Sequence, residues 1–459
     1  MRRRLLLLAA ALSLAGCMSL APPHERPAPP VAERFPHQPA DAGAPARPAT
    51  ELAWRDFFGG DARLQRLVEL ALANNRDLRI AVLNIEAARA QASLARAARW
   101  PTVNAAVTGT RQPNADGDIG STYAAGVAVT AWELDLFGRI RSASDAALAQ
   151  LAATESARQA AQIALVAAVA SQHMTLAGDE ELLALTQRAL DTRLESLRLL
   201  ELRFKFGTAS ELDLRTGQTA VETARGALLQ LRRQAALDRN ALELLVGQPL
   251  PADLPPRAAW NPQALSDVPA GLPADVLLQR PDVMEAEATL RVAEADIGAA
   301  RAAFWPRITL TGSVGVASSE LSRLFSGGNT VWTFVPQLLQ PLFDAGRNRA
   351  NLRLSETQRD VAVARYERTV QTAFREVADA LAGRATLGEQ LRSAQALEAA
   401  EAARFRLVEL RLRSGVASSL ELLDAQRSLF TAQQQRVQAE AQLLLNRIDA
   451  YRALGGGWG

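Results

Sequence analysis

Two hydrophobic periods recur along this chain. Residues 307–316 alternate, with Ile308, Leu310, Val314 and Val316 on one side and Arg307, Thr309, Thr311 and Ser313 on the other. That is a strand with one apolar and one polar face. Residues 102–111 alternate in the same way: Val103, Ala105 and Val107 oppose, for the most part, Thr102, Asn104, Thr108 and Thr110. Second strands are predicted at about 122–132 and 330–339, after turns at Asn114-Ala115-Asp116-Gly117 and Ser326-Gly327-Gly328-Asn329. The other period is helical. Val363, Tyr366, Val370, Phe374, Val377 and Leu381 are spaced by three and four, a coiled-coil-like seam.

Proline and glycine place these elements in two copies. No proline occurs between Asn114 and Gln248, or from Leu342 onward. Proline costs about 3 kcal/mol inside a helix, so both stretches are read as long helices. Trp100-Pro101 recurs as Trp305-Pro306, and Leu136-Phe137-Gly138-Arg139 as Leu342-Phe343-Asp344-Ala345-Gly346-Arg347. The pairs Gly138/Gly346, Gly207/Gly415 and Gly247/Gly455 are each 208 residues apart. Such fixed spacing indicates a tandem duplication. The predicted copies are 61–248 and 273–455, each helix-strand-strand-helix-helix, joined by a Pro-rich linker at 249–272 and followed by a short tail, 456–459. Ile140 to Lys205 is 66 residues, or roughly 100 Å of helix. The return helix of about 35 residues and the helix at 62–99, with Asp61 as N-cap, are expected to stack end to end and match it.

Composition supports a helical, folded chain. Hydrophobic residues make up 48% and aromatics only 5%. The net charge of +2 argues against nucleic acid as a partner. His24, His37 and His173 are far apart in sequence and suggest no zinc site, and one cysteine precludes an internal disulfide framework. Residues 159–178 carry no formal charge but contain Gln, Ser and His, and are read as a buried helix face rather than a membrane span.

The first residues have a different purpose. Arg2-Arg3-Arg4 followed by the apolar run Leu5–Leu14 reads as a signal peptide, residues 1–16. Leu14-Ala15-Gly16-Cys17 resembles the bacterial lipobox, which implies diacylglycerol and an N-acyl chain on Cys17. Met18 in place of Asp favours delivery to the outer membrane. Residues 17–60 are expected to be a lipidated extended tether, since residues 18–50 hold nine of the 22 prolines. No other cofactor and no metal are expected.

The strands have the length needed to cross a membrane in a barrel, but four strands per chain cannot close one. Two chains would supply eight strands and three would supply twelve. Periodicity alone leaves open a pair of soluble hairpins packed on helices. It also leaves open whether Tyr123, Trp132, Trp332 and Phe334 form an interfacial belt or pack in a core.

Leu420-Glu421-Leu422-Leu423-Asp424-Ala425-Gln426-Arg427-Ser428-Leu429, the closing Ala453-Leu454-Gly455-Gly456-Gly457-Trp458, Pro341 to Arg347 and Trp54-Arg55-Asp56-Phe57-Phe58 resemble the outer-membrane factor (TolC-like) family. The likeness is to its OprM/NodT-type lipoprotein branch and covers essentially the whole mature chain. It implies a mainly α fold with membrane β: a long α-helical barrel in the periplasm and a β-barrel shared by three chains. It implies the outer-membrane channel of a tripartite efflux pump, passive and not an enzyme. Its partners would be two further copies, a periplasmic adaptor, an inner-membrane transporter of the RND class, and outer-membrane lipid.

The same resemblance places a periplasmic gate at Leu420, Asp424 and Arg427, with Glu421 beside them. Three copies of Asp424 would form a carboxylate ring, relieved by Arg427 or by opening. Ser418 and Glu421 also form a capping-box pattern, the favoured reading for Glu421. The tip turns, with Gly207 and Thr208 and with Gly415 and Val416, are expected to contact the adaptor. The rival readings are an enzyme, for which no catalytic constellation is visible, and a structural periplasmic coiled-coil lipoprotein or adaptor without a pore.

Overall fold

The computed structural model describes residues 19–37, 52–113, 117–256, 265 and 274–456. The signal segment with Cys17, residues Asn114 to Asp116, most of the linker, Gly457 and Trp458 lie outside them. In chain order the elements are α1 (Trp54–Phe57), α2 (Ala62–Asn74), α3 (Arg76–Ala97), β1 (Val103–Pro113), β2 (Ile119–Leu134), α4 (Arg139–Lys205) and α5 (Glu211–Val246). The second half repeats the order: a 3-10 turn (Ala274–Gln279), α6 (Pro281–Ala302), β3 (Arg307–Ser318), β4 (Thr330–Leu339), α7 (Arg347–Arg413) and α8 (Ser419–Ala453). The duplication is also visible in the backbone. Gly138 and Gly346, Gly207 and Gly415, and Gly247 and Gly455 all have positive φ, between 72° and 87°.

Two compact units result, and neither is one copy. The first comprises residues up to Pro29, Leu83–Ser156 and Met284–Arg368; the second comprises Pro30–Val82, Ala157–Val283 and Thr369–Gly459.

The first unit holds one antiparallel sheet in the order β1-β2-β3-β4. Its central pair, β2 with β3, joins the hairpins of the two copies into one sheet. Gly126 and Gly315 face each other there, and a Cβ on either would collide with the opposite backbone. At the start of α4, Glu133 accepts from Arg139 at 2.9 and 2.6 Å and pairs with Arg307 at 2.6 Å, while Phe137 stacks on Trp305.

In the second unit, Trp54-Arg55-Asp56-Phe57-Phe58 supplies core rather than surface. Phe57 stacks on Tyr451 at 4.1 Å, and the Tyr451 hydroxyl donates to the Leu52 carbonyl at 2.6 Å. Burial pushes the Tyr451 phenol well above its usual range. Val370 and Val377 of the α7 seam are almost fully buried, and Phe374 stacks on Phe35. The uncharged part of α4 is long and apolar enough to cross a membrane, but more than half of it is buried, with Val166, Val169, Ala170 and Met174 inside.

The expected single helix at 62–99 is broken at Asn75. This residue is extended (ψ 131°), and its Oδ1 accepts from Leu78 N at 2.9 Å, so it caps α3. Its Nδ2 donates to the Leu245 carbonyl, and Gly247 closes against Asn74 and Asn75. Thus α2 packs beside α5, and α3 is the helix that starts where α5 ends. The second copy breaks 205 residues on, at Arg280, where Pro281 opens α6.

Asp61 caps α2, accepting from Leu64 N at 2.9 Å, and it also meets His173 Nε2 at 3.1 Å, with both residues buried. Burial would raise this carboxyl, but the His173 and backbone hydrogen bonds outweigh it and hold the group below its ordinary value. Its contribution is therefore present above the ordinary aspartate range and lost as pH falls. Asp61→Ala removes a cap and strands a buried imidazole. We expect a loss of about 1–3 kcal/mol at pH 7, measured by thermal unfolding followed by circular dichroism, and a smaller loss below about pH 4.

Candidate functional site

The sheet sorts its side chains by register, because directly paired residues share a face. One face carries Val103, Val107, Val127, Val129, Ile308, Leu310, Val314 and Leu338. Tyr123, Trp132, Trp332 and Phe334 all lie on this same face. The other carries Asn104, Thr108, Thr122, Thr309, Thr311, Ser313 and Thr333. A bulge between Val129 and Trp132, with Ala131 at φ 51°, re-aims Trp132 to the apolar side. Without it, simple alternation would place that indole among the hydroxyls. Both edge strands are exposed along their whole length, and Trp332 and Phe334 are 73% and 61% exposed. A continuous apolar face bearing the aromatics, opposite a hydroxyl-rich face, suits lipid on one side and water on the other.

The two helical hairpins, α4–α5 and α7–α8, turn identically. Gly207 and Gly415 take the left-handed conformation that a β-carbon disfavours, with open space around them, so backbone geometry rather than crowding selects glycine. Thr208 N and Val416 N donate to the carbonyls of Arg203 and Arg411. Ser210 with Asp213, and Ser418 with Glu421, form complete capping boxes at the start of α5 and α8. Glu421 is thereby engaged as a cap, and it also lies 3.6 Å from Arg411. Phe206, Val416 and Leu420 are exposed at the turns.

One turn beyond the second box the copies diverge. Asp424 binds Arg404 of α7 at 2.6 Å and Arg427 at 2.8 Å, and Arg404 also binds Glu401 at 3.1 Å. The hydrogen bond from Arg404 is the main cause that holds the Asp424 carboxyl below its ordinary range, with Arg427 adding to it. The residues 208 positions earlier are Ser196, Thr216 and Thr219, all hydroxyls. Thr216 and Thr219 return their hydroxyls to their own helix, and Ser196 accepts from Gln426 at 3.0 Å, linking the two hairpins. Leu420, Asp424 and Arg427 thus share the start of α8, whereas Arg404 was missed because it lies 20 residues away on another helix. Its partnership with Glu401, three residues back, was the only local sign of it. Among the described residues, no group of three or more His, Cys, Asp or Glu is placed to hold a metal ion.

The chain matches the family model described as outer membrane efflux protein over residues 67–248 and 272–456. It is 44% identical to the probable efflux pump outer membrane protein TtgC of Pseudomonas putida, covering 100% of this chain and 96% of that one. It is 46% identical to the outer membrane protein OprJ of Pseudomonas aeruginosa, covering 98% and 94%. Its structure is similar to the open state of the MtrE outer membrane channel of Neisseria gonorrhoeae, with a TM-score of 0.88 and 38% identity over 96% of this chain and 99% of that one. The sheet with an apolar face and a hydroxyl-rich face, the twin capped hairpins and these likenesses agree, and the chain belongs to the outer membrane efflux protein family, as a TolC-like outer-membrane component of an efflux pump.

Proposed function

We propose that three copies of this chain close one barrel of twelve strands and act as the passive exit duct of a tripartite pump. The observation that carries this is the open four-stranded sheet, whose β1 and β4 edges of 11 and 10 residues have no partner strand among the described residues. Unpaired edges are untenable in lipid, and a barrel needs about eight strands or more. Family likeness favours three copies over two. The tips at Gly207, Thr208, Gly415 and Val416, with the exposed Phe206 and Val416 side chains, suit a periplasmic adaptor. The adaptor would lead to an inner-membrane transporter, with the RND class as the family's usual partner. The purified protein should run as a heat-stable oligomer of three times the chain mass in light scattering; twice the mass, or a monomer, refutes the trimer.

The duct's periplasmic end is proposed to be closed by Leu420 and by Asp424 held between Arg404 and Arg427. Pairing across two helices supports this, since Arg404 fastens α8 to α7 only while Asp424 is ionised. The carboxyl is held low, so pairing persists above the ordinary aspartate range and is lost as pH falls. Single-channel conductance should therefore be steady from pH 8 to 5 and rise below about pH 4. Asp424→Ala and Arg404→Gln should each raise conductance at pH 7, and Asp424→Ala should also weaken cation selectivity. Unchanged conductance in both variants removes Asp424 from the gate.

Cys17 is proposed to carry the lipid. The support is the lipobox pattern alone, since the residue lies outside the described part. Cys17→Ser should abolish incorporation of labelled palmitate and lower the amount of assembled protein, while pores that do assemble keep their conductance.

A further inference from the structure

The junction between the two halves of the chain has a second version at the outer edges of the sheet, and there it is unmade. Where β2 meets β3, the turn Leu136-Phe137-Gly138 after β2 lies against the Trp305-Pro306 step before β3. Phe137 stacks on Trp305, with ring centroids 5.1 Å apart and planes 15° apart. Leu136 and Phe137 are half-buried and Gly138 is buried. Each side of this contact has a counterpart in the other half. The turn recurs after β4 as Leu342-Phe343, and the step recurs before β1 as Trp100-Pro101. Neither counterpart is covered. Leu342 and Phe343 are 93% and 91% exposed, and Trp100 is 76% exposed. Among the described residues, no ring contact to Trp100 or Phe343 is found. The two cannot meet within one chain, because β1 and β4 are opposite edges with two strands between them. Three strand spacings hold those edges roughly 14 Å apart. Large apolar side chains exposed together in this way mark an interaction surface.

We propose that Phe343 stacks on Trp100 of the next subunit, so that the seam between subunits repeats the junction already made inside the chain. This rests on the shared barrel proposed above and adds the residues and the strand register by which it closes. The contact is head-to-tail. Each subunit offers Phe343 at one edge and Trp100 at the other, and a closed ring covers both.

The register follows from the same correspondence. Beside the internal junction, Leu134 pairs with Ile308 and Trp132 with Leu310. Leu134 precedes Phe137 by three residues, as Gln340 precedes Phe343, and Ile308 follows Trp305 by three, as Val103 follows Trp100. Gln340 is thereby set opposite Val103 of the next subunit, and Leu338 opposite its Ala105. Leu338 pairs with Ile308 and Ala105 with Val127 inside the chain, so both lie on the apolar face. That face then runs across the seam unbroken. A slip of two residues would keep the faces matched but carry Phe343 past the indole. The ion pair of the internal junction is not repeated, for Leu339 and Thr102 stand where Glu133 and Arg307 pair. Of those two contacts, the seam keeps the aromatic one.

The test is disulfide trapping in outer-membrane fractions of cells expressing the full chain, with the parent, which carries Cys17, as the blank. Leu338→Cys combined with Ala105→Cys should give covalent trimers on mild oxidation, because directly paired strand residues have Cα atoms about 4.5–5.5 Å apart. The distance between the two edges excludes a bridge inside one chain. Leu338→Cys combined with Val107→Cys, the slipped pair, should leave mostly monomer. Phe343→Ala and Trp100→Ala should each lower the temperature at which the unbridged oligomer dissociates. Both together should lower it no further than either alone, since each removes the same contact. Both side chains are exposed in the single chain, so neither substitution should unfold it. Stronger bridging by the slipped pair, no bridging by either pair in a protein that light scattering shows to be oligomeric, or additive losses in the double variant overturns the seam and leaves the barrel standing. Twice the chain mass with the Leu338/Ala105 bridge formed refutes three subunits and keeps the seam. A monomer removes both.

Discussion

Backbone hydrogen bonding in lipid is the constraint on which the rest of this protein depends. A strand in the hydrocarbon region has no water to satisfy its N–H and C=O groups, so every edge must be paired. The described residues of this chain bring four strands and two bare edges. Its sheet is complete in register and incomplete in partners. Its apolar face and exposed aromatics would be a liability on a monomer in water. The proposed association with further copies would pair both edges.

Duplication supplies the parts, and divergence between the copies supplies the specialisation. The two hairpins share a left-handed glycine, a backbone-bonded turn and a capping box at matched positions. Those features solve a local problem, the unsatisfied groups at helix ends, and both copies need them. Beyond the box one copy keeps hydroxyls that return to their own helix, while the other has Arg404, Asp424 and Arg427 tied together. A charge cluster of this kind can respond to pH or to ions, and a set of self-satisfied threonines cannot. The copies also interleave, for each compact unit draws residues from both.

Much of the fold was legible because it depends on near neighbours. Period-two and period-three-to-four patterns revealed the strands and the long helices. Proline gaps and the 208-residue glycine spacing revealed the duplication. Glu421 as a cap was readable from Ser418 three residues before it. Asp424 and Arg427 were reached only through family likeness, because an acid and a base three residues apart on a helix are common. The break at Asn75 was less readable, since an asparagine within a helical pattern reveals its role only when Leu245 is seen beside it.

The sequence by itself thus determined the element types, their order, their twofold repetition and the two-faced strands, all of which follow from local spacing and backbone chemistry. Tertiary structure alone decided that β2 pairs with β3, that a bulge turns Trp132 toward the apolar side, that Arg404 meets Asp424, and that His24 sits between two buried glutamates. The physical reason is that alternation specifies a face but not a partner: a shift of two residues keeps every face and changes every pair. Contacts between helices likewise depend on their relative rotation, which spacing along one helix does not encode.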